Sequence, residues 1–183
     1  MNQEKSRYQH AEHEFGPVYD QHSRVLILGS FPSVKSREQQ FYYGHPQNRF
    51  WKMIAAVYGE KIPENIQEKK DLLLRNRIAL WDVIESCDII GSSDSSIRNV
   101  RPNPIDRIVR EAGIELICCN GEKSYRLFIR YHQELASAIP VCRMPSTSPA
   151  NAACTLERLI EEWGDLLRNK TGNSGIEALK QEF

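Results

Sequence analysis

The chain has 183 residues, enough to bury one sizeable core, and its 24 Lys and Arg balance 24 Asp and Glu. Zero net charge excludes a strongly basic nucleic-acid coat protein but leaves room for a local basic face, because only charges near the phosphates hold them. No apolar run approaches membrane-spanning length, and the N-terminal MNQEKSRYQHAEHEF lacks the apolar centre of a signal peptide; a cytoplasmic protein with no membrane partner is predicted.

Residues 1–22 read as a polar extension that packs on the domain, with Phe15, Val18 and Tyr19 available at a sheet margin. The domain itself is assigned to 23–169. Arg24 to Leu28 is a short β-branched apolar run, the pattern of a buried strand, and it delivers Gly29-Ser30 into a long stretch with no apolar periodicity. A stretch of this kind in a compact domain is usually functional. A helix is predicted from about Pro46 or Gln47 to Gly59, on the spacing of Phe50, Trp51, Ile54, Ala55 and Tyr58. A second helix follows over Asn65 to Asn76. Ile78 to Ile84 reads as a strand, and Gly91 to Ser96 as a polar loop. A short helix over Pro104 to Arg110 has Asn103 as its expected N-cap. Leu116 to Cys119 is a continuous apolar strand that ends in Asn120-Gly121 and enters a helix over Glu122 to Tyr131. Pro140 to Met144 is the last strand, and a final helix runs from about Asn151 to Leu167. Residues 170–183 form a C-terminal tail.

Strands alternating with helices predict an α/β three-layer sandwich, with a central, mostly parallel four-stranded sheet between helices. The segments Gly29–Pro46, Asn120–Gly121 and Pro145–Ala150 then leave the carboxyl ends of strands and converge on one edge, where such sheets bind ligands.

The chemistry available there is narrow. No G-x-G-x-x-G, Walker loop or G-x-S-x-G occurs. No carboxylate pair sits in these loops, which argues against hydrolysis by two acids. Five cysteines (Cys87, Cys118, Cys119, Cys142 and Cys154) without C-x-x-C or zinc-like histidine spacing predict neither metal nor cofactor. The loops instead offer aromatic faces, amides and small hydroxyls, a set that suits an extruded nucleobase: rings stack on it, amides pair with its edge, and hydroxyls meet phosphates.

Each candidate has a plainer alternative. Asn48 can orient a water or cap its own helix. His45 can touch phosphate or pack its loop. Tyr43 can stack on a base or fill the core, and Phe31 reads as pocket wall or core. Asn120 can read a base edge or serve Asn-Gly turn chemistry. Ser33, Ser146, Thr147 and Ser148 can hold DNA phosphates, or form the entry to a helix in the case of the last three. Arg49 reads as a solvated surface charge, and Asp82 and Asp94 as structural.

The segments GSFPS (29–33), QFYYGHPQNRFW (40–51) and MPSTSPANA (144–152), supported by LWDVIESC (80–87) and SDSSI (93–97), resemble the uracil-DNA glycosylase superfamily, and within it the hypoxanthine-DNA glycosylase branch. The resemblance covers most of 24–167. It implies a monofunctional enzyme that hydrolyses the N-glycosidic bond of hypoxanthine in double-stranded DNA containing a deaminated base, with no obligate protein partner. It implies Asn48 as the catalytic residue, with Phe31, Tyr43, His45 and Asn120 at the substrate and Ser33, Ser146, Thr147 and Ser148 at the DNA. In the mismatch-specific branch the first motif carries a water-positioning asparagine where Phe31 stands here, so uracil removal is expected to be the weaker activity. The rival readings are a nucleobase-binding module without catalysis, or a uracil- or mismatch-specific glycosylase.

Overall fold

The computed structural model describes residues 7–172. The organising strand is β2 (Val25–Gly29), every residue of which is buried; β1 (Gln9–Glu12) precedes it. On one side β2 pairs in parallel with β3 (Ile78–Asp82), placing Gly29 opposite Asp82. On the other side it pairs in parallel with β6 (Leu116–Asn120), which pairs with the edge strand β7 (Val141–Met144). The resulting order β3-β2-β6-β7 is the predicted four-stranded parallel sheet. Its inner strands are uninterrupted apolar runs because both faces are covered.

Helices flank it. After α1 (Val34–Gln39) come α2 (Phe50–Val57) and α3 (Ile66–Arg75), the latter capped by Asn65, whose side chain accepts from the Glu68 N–H. Then follow α4 (Ile105–Glu111), α5 (Glu122–Tyr131), α6 (Gln133–Ala138) and α7 (Leu156–Thr171). Phe50, Met53 and Ile54 of α2 and Leu159, Trp163 and Leu167 of α7 are fully buried.

Four local expectations are corrected. The stretch after β2 is not structureless: α1 lies within it, with Ser33 as N-cap accepting from the Ser36 N–H. The final helix begins at Leu156 rather than Asn151, because Thr155 supplies the cap and residues 145–154 remain a loop. Asn103 does not cap α4; its buried amide donates to the carbonyls of Asp82 and Ile84, both at 3.0 Å, and staples the bend after β3.

The fourth correction is a second sheet. Directly after β3 the chain forms β4 (Ile84–Ile89), which pairs antiparallel with β1 and with β5 (Arg98–Pro102). The alternation in β4 is partial and β5 is largely exposed, so neither carries a clear strand signature. This sheet makes the N-terminal extension structural. β1 runs beside β4, and the His13 N–H donates to the Glu85 carbonyl at 2.7 Å. The tail expected over 170–183 lies outside the described residues from 173 onward.

Candidate active site

The carboxyl ends of the parallel strands open into a cavity of about 290 Å³. Gly29, Asp82 and Asn120 end β2, β3 and β6, and residues 146–150 follow β7. Phe31, Ser33, Tyr43, His45, Asn48, Asn120, Ser146, Thr147 and Ser148 all line this cavity, so every residue singled out for the site is brought together.

A chain of hydrogen bonds locks the three loops. The Asn120 amide donates to the Tyr43 phenol oxygen and to Thr147 Oγ1, both at 3.0 Å, and its oxygen accepts from the Thr147 N–H at 3.0 Å. Thr147 Oγ1 in turn donates to Asn48 Oδ1 at 2.9 Å. Asn48 Oδ1 also accepts from the Phe50 N–H at 3.0 Å. That backbone donor fixes which end of the Asn48 amide is oxygen. The two open readings of Asn48 therefore describe different atoms: its oxygen serves the start of α2, and its NH2 is left for the cavity.

Asn120 has both amide hydrogens occupied, so its geometry is that of an organiser of Tyr43 and Thr147. Thr147 is fully buried and its hydroxyl both accepts and donates, which leaves it nothing for a DNA phosphate. That expectation is corrected. Ser146 and Ser148 are half-buried, and their hydroxyls accept from the N–H groups of Ser148 and Ala150 within the loop. Gly121 at the start of α5 has φ +98°, and a side chain there would press on Ser146 Cβ.

Tyr43 occupies a left-handed backbone position, φ 52°, and its ring stacks on Phe50 with centroids 4.1 Å apart. Burial, reinforced by the Asp82 charge, pushes its phenol far above the ordinary value, so it remains protonated and a potential donor. His45 Nδ1 accepts from the Gln47 N–H, which leaves Nε2 for the cavity. Phe31 is buried wall, packed edge-on to His13 and beneath the Arg37 guanidinium.

Arg49 overturns its reading as a solvated charge. Its guanidinium donates to the carbonyls of Thr147, Ser148, Asn151 and Cys154, clamping the loop after β7 onto the start of α2. A planar five-donor fork is the side chain that can gather several carbonyls at once.

Sequence reasoning also missed two carboxylates in the cavity wall. Asp82 stands at the end of β3, and Asp94 reaches the rim beside Ser30, whose hydroxyl donates to it at 3.0 Å. Asp94 is exposed as a residue, yet its carboxyl is raised above the ordinary value by burial, against the Ser30 hydrogen bond and the Lys123 charge. The loops after β2, β6 and β7 carry no carboxylate pair; the turn between β4 and β5 brings in Asp94, and the end of β3 brings in Asp82. The available signal was their position in LWDVIESC and SDSSI, two of the segments that carry the family resemblance.

A sequence model of the Uracil DNA glycosylase superfamily matches residues 17–167. The chain belongs to this superfamily. A hypoxanthine DNA glycosylase of Methanosarcina acetivorans is 35% identical over 162 residues, 85% of this chain and 97% of the relative. One from Methanosarcina barkeri is 37% identical over 112 residues, 60% of this chain and 71% of the relative. Among solved structures, the solution NMR structure of a candidate uracil DNA glycosylase from Methanosarcina acetivorans superimposes with a TM-score of 0.72 at 32% identity, covering 90% of this chain and 97% of that one. No group of three or more His, Cys, Asp or Glu able to hold a metal ion occurs among the described residues, and no helix among them is long and apolar enough to cross a membrane.

Proposed function

We propose that this protein is a monofunctional DNA glycosylase that takes a deaminated base, chiefly hypoxanthine, out of duplex DNA and hydrolyses its N-glycosidic bond in the cytoplasm without a protein partner. The observation that carries the reading is the locked chain Tyr43–Asn120–Thr147–Asn48 around a partly aromatic cavity. The Methanosarcina relatives named for hypoxanthine removal support the substrate.

The flipped nucleotide brings its base into the cavity and leaves its phosphates at the rim. As the bond from C1′ to the base breaks, its electron pair passes to the purine and the sugar becomes cationic. Water adds to C1′ and gives up a proton, which neutralises the departing purine anion. No lysine lines the cavity among the described residues, so water rather than an amine completes the reaction and no strand cleavage follows. The Asn48 NH2 is a pre-oriented donor, held through its own oxygen, for the departing base or the oxygen of the attacking water. Such a donor is most effective where it need not reorganise during reaction. The planar base stacks against the aromatic wall near Tyr43 and Phe31. Ser33, Ser146 and Ser148 lie where phosphates pass, and Ser33 also caps α1.

The test is base release from duplexes carrying one deoxyinosine or one deoxyuridine, run beside free inosine. Hypoxanthine release from duplex should exceed uracil release. Free inosine should be a poor substrate, and the strand should break only after alkali. A folded protein that releases no hypoxanthine from duplex defeats the reading.

A further inference from the structure

The cavity takes one nucleotide, so the duplex on either side of it must lie on the outer surface. With 24 cations balanced by 24 anions, that surface can grip phosphates only where charge is segregated. Helix α3 segregates it. Its Glu68 and Asp71 line a shallow depression together with Glu60 and Arg75. Its Lys69 and Lys70 lie on the other flank, over the rings of Trp51 and Phe41, with each ammonium 5.3 and 5.9 Å from the ring centre. Those two rings stack on each other with centroids 6.0 Å apart and are nearly buried, so the lysine stems roof them while the charged ends stay outward.

Lys52, exposed beside Trp51 in the first turn of α2, adds a third ammonium to this flank. Among the described residues the lysines that form ion pairs are Lys35, with Glu38, and Lys61, with Glu64; Lys52, Lys69 and Lys70 have no such partner. Burial lowers the Lys69 ammonium below its ordinary value, with no carboxylate opposing the shift. A half-buried cation that faces only a ring keeps its charge free for an incoming anion. The flank is also continuous with the cavity. Phe41 runs directly into Tyr42 and Tyr43 of the cavity wall, and the approach to α2 carries His45 and Asn48 along that wall before Lys52.

We infer that Lys52, Lys69 and Lys70 form a docking face for the phosphates of the duplex on one side of the flipped nucleotide. The inference rests on the glycosylase reading and deepens it, by giving the undamaged part of the substrate a place on the surface. Double-stranded DNA is the partner that fits, because the face adjoins the cavity wall and its three cations lack anions. An ammonium is a compact point charge that holds a phosphate without reading a base. The face therefore serves every sequence alike, as a protein that searches intact duplex requires.

The experiment uses the full chain and a duplex containing 2′-fluoro-deoxyinosine, in which the fluorine blocks hydrolysis by destabilising the cationic sugar. The readout is the slope of log affinity against log salt. In the triple variant Lys52→Gln, Lys69→Gln, Lys70→Gln the slope should become shallower by about 2–3, since each phosphate neutralised contributes about 0.9. A control triple, Arg107→Gln, Arg110→Gln, Arg130→Gln, removes the same charge from α4 and from the end of α5, away from the cavity, and should leave the slope near wild type. Trimming the duplex close to the deoxyinosine on one side should abolish the difference between wild type and the lysine triple, and trimming on the other side should preserve it. Single-turnover base release from cleavable duplex at saturating protein should match wild type. If the lysine triple does not fold, the single variants decide, each flattening the slope by about 0.9. An unchanged slope, an equal change in both triples, indifference to which side is trimmed, or a lower rate at saturation overturns the assignment. Base release by wild type is scored separately. Its absence defeats the glycosylase reading, whereas its presence with an unchanged slope defeats only the lysine face.

Discussion

Thr147 Oγ1 donates to Asn48 Oδ1 at 2.9 Å, joining the loop after β7 to the start of α2 across 99 residues of sequence. Because the same Asn48 oxygen also accepts from the Phe50 N–H, structure and substrate use opposite ends of one amide.

That division makes Asn48 testable by two substitutions. Asn48→Ala should fold, bind inosine-containing duplex and lose on the order of 10²–10³ in single-turnover rate. Asn48→Asp retains an oxygen for Phe50 and Thr147 but has no NH2. It should melt close to wild type and be nearly as inactive as the alanine variant. High activity in Asn48→Asp would show that the oxygen, and not the NH2, serves the substrate.

Thr147 is expected to matter although it touches no phosphate. Thr147→Val preserves shape and removes the hydroxyl that accepts from Asn120 and donates to Asn48. An unsatisfied buried donor costs about 1–3 kcal/mol, so the variant should lose several degrees in melting temperature. Its rate should fall at least about tenfold through loss of Asn48 orientation. Unchanged salt dependence of DNA binding would accompany both effects, and a reduced slope would instead place Thr147 on the phosphates.

Arg49→Lys should behave as a structural lesion. One ammonium cannot reproduce the guanidinium fork that gathers four carbonyls. Hydrogen bonds to charged groups contribute about 1.5–3 kcal/mol, so a loss near 2 kcal/mol is expected, or roughly 4–8 °C for a chain this size. Hydrogen exchange should accelerate over 147–154 before it does so in the sheet. Uniform acceleration would show that the clamp serves the whole fold.

Asp94 sets a pH dependence of definite sign. Burial raises its carboxyl, against the opposing Ser30 hydrogen bond and Lys123 charge, so the folded protein holds this proton more tightly than the unfolded chain. Its contribution is therefore present below the ordinary aspartate range and is lost as pH rises through the raised value. Relative to wild type, Asp94→Asn should gain stability as pH rises above the ordinary aspartate value of about 3.9 and level off above the raised value, read from urea midpoints. The gain should be small because the group stands at an exposed rim. A loss over that interval would mean that Ser30 and Lys123 outweigh burial.

The parallel sheet was legible in the chain because strands buried on both faces must be apolar throughout: VLILG, IALWD and LICCN leave few alternatives. The site loops were legible for a related reason, since strand ends in such a sheet converge. α1, β4 and β5 were not legible. A helix of six residues and strands with one wet face carry little periodicity, and their hydrogen bonds depend on partners far along the chain.

The sequence by itself determined most of the residues that stand at the cavity, because each follows directly on a strand of the parallel sheet or lies in the long polar connection after β2. Only the tertiary structure decided what each is free to do. Hydrogen-bond capacity is finite, and its allocation is settled by neighbours remote in sequence. Asn48 spends its oxygen on Phe50 and Thr147, Asn120 spends both amide hydrogens on Tyr43 and Thr147, and Arg49 spends its fork on a loop about a hundred residues away. By the same logic, Asp82 changes from a structural acid into a cavity group only when β1 brings His13 to one oxygen and Gly29 makes room for the other.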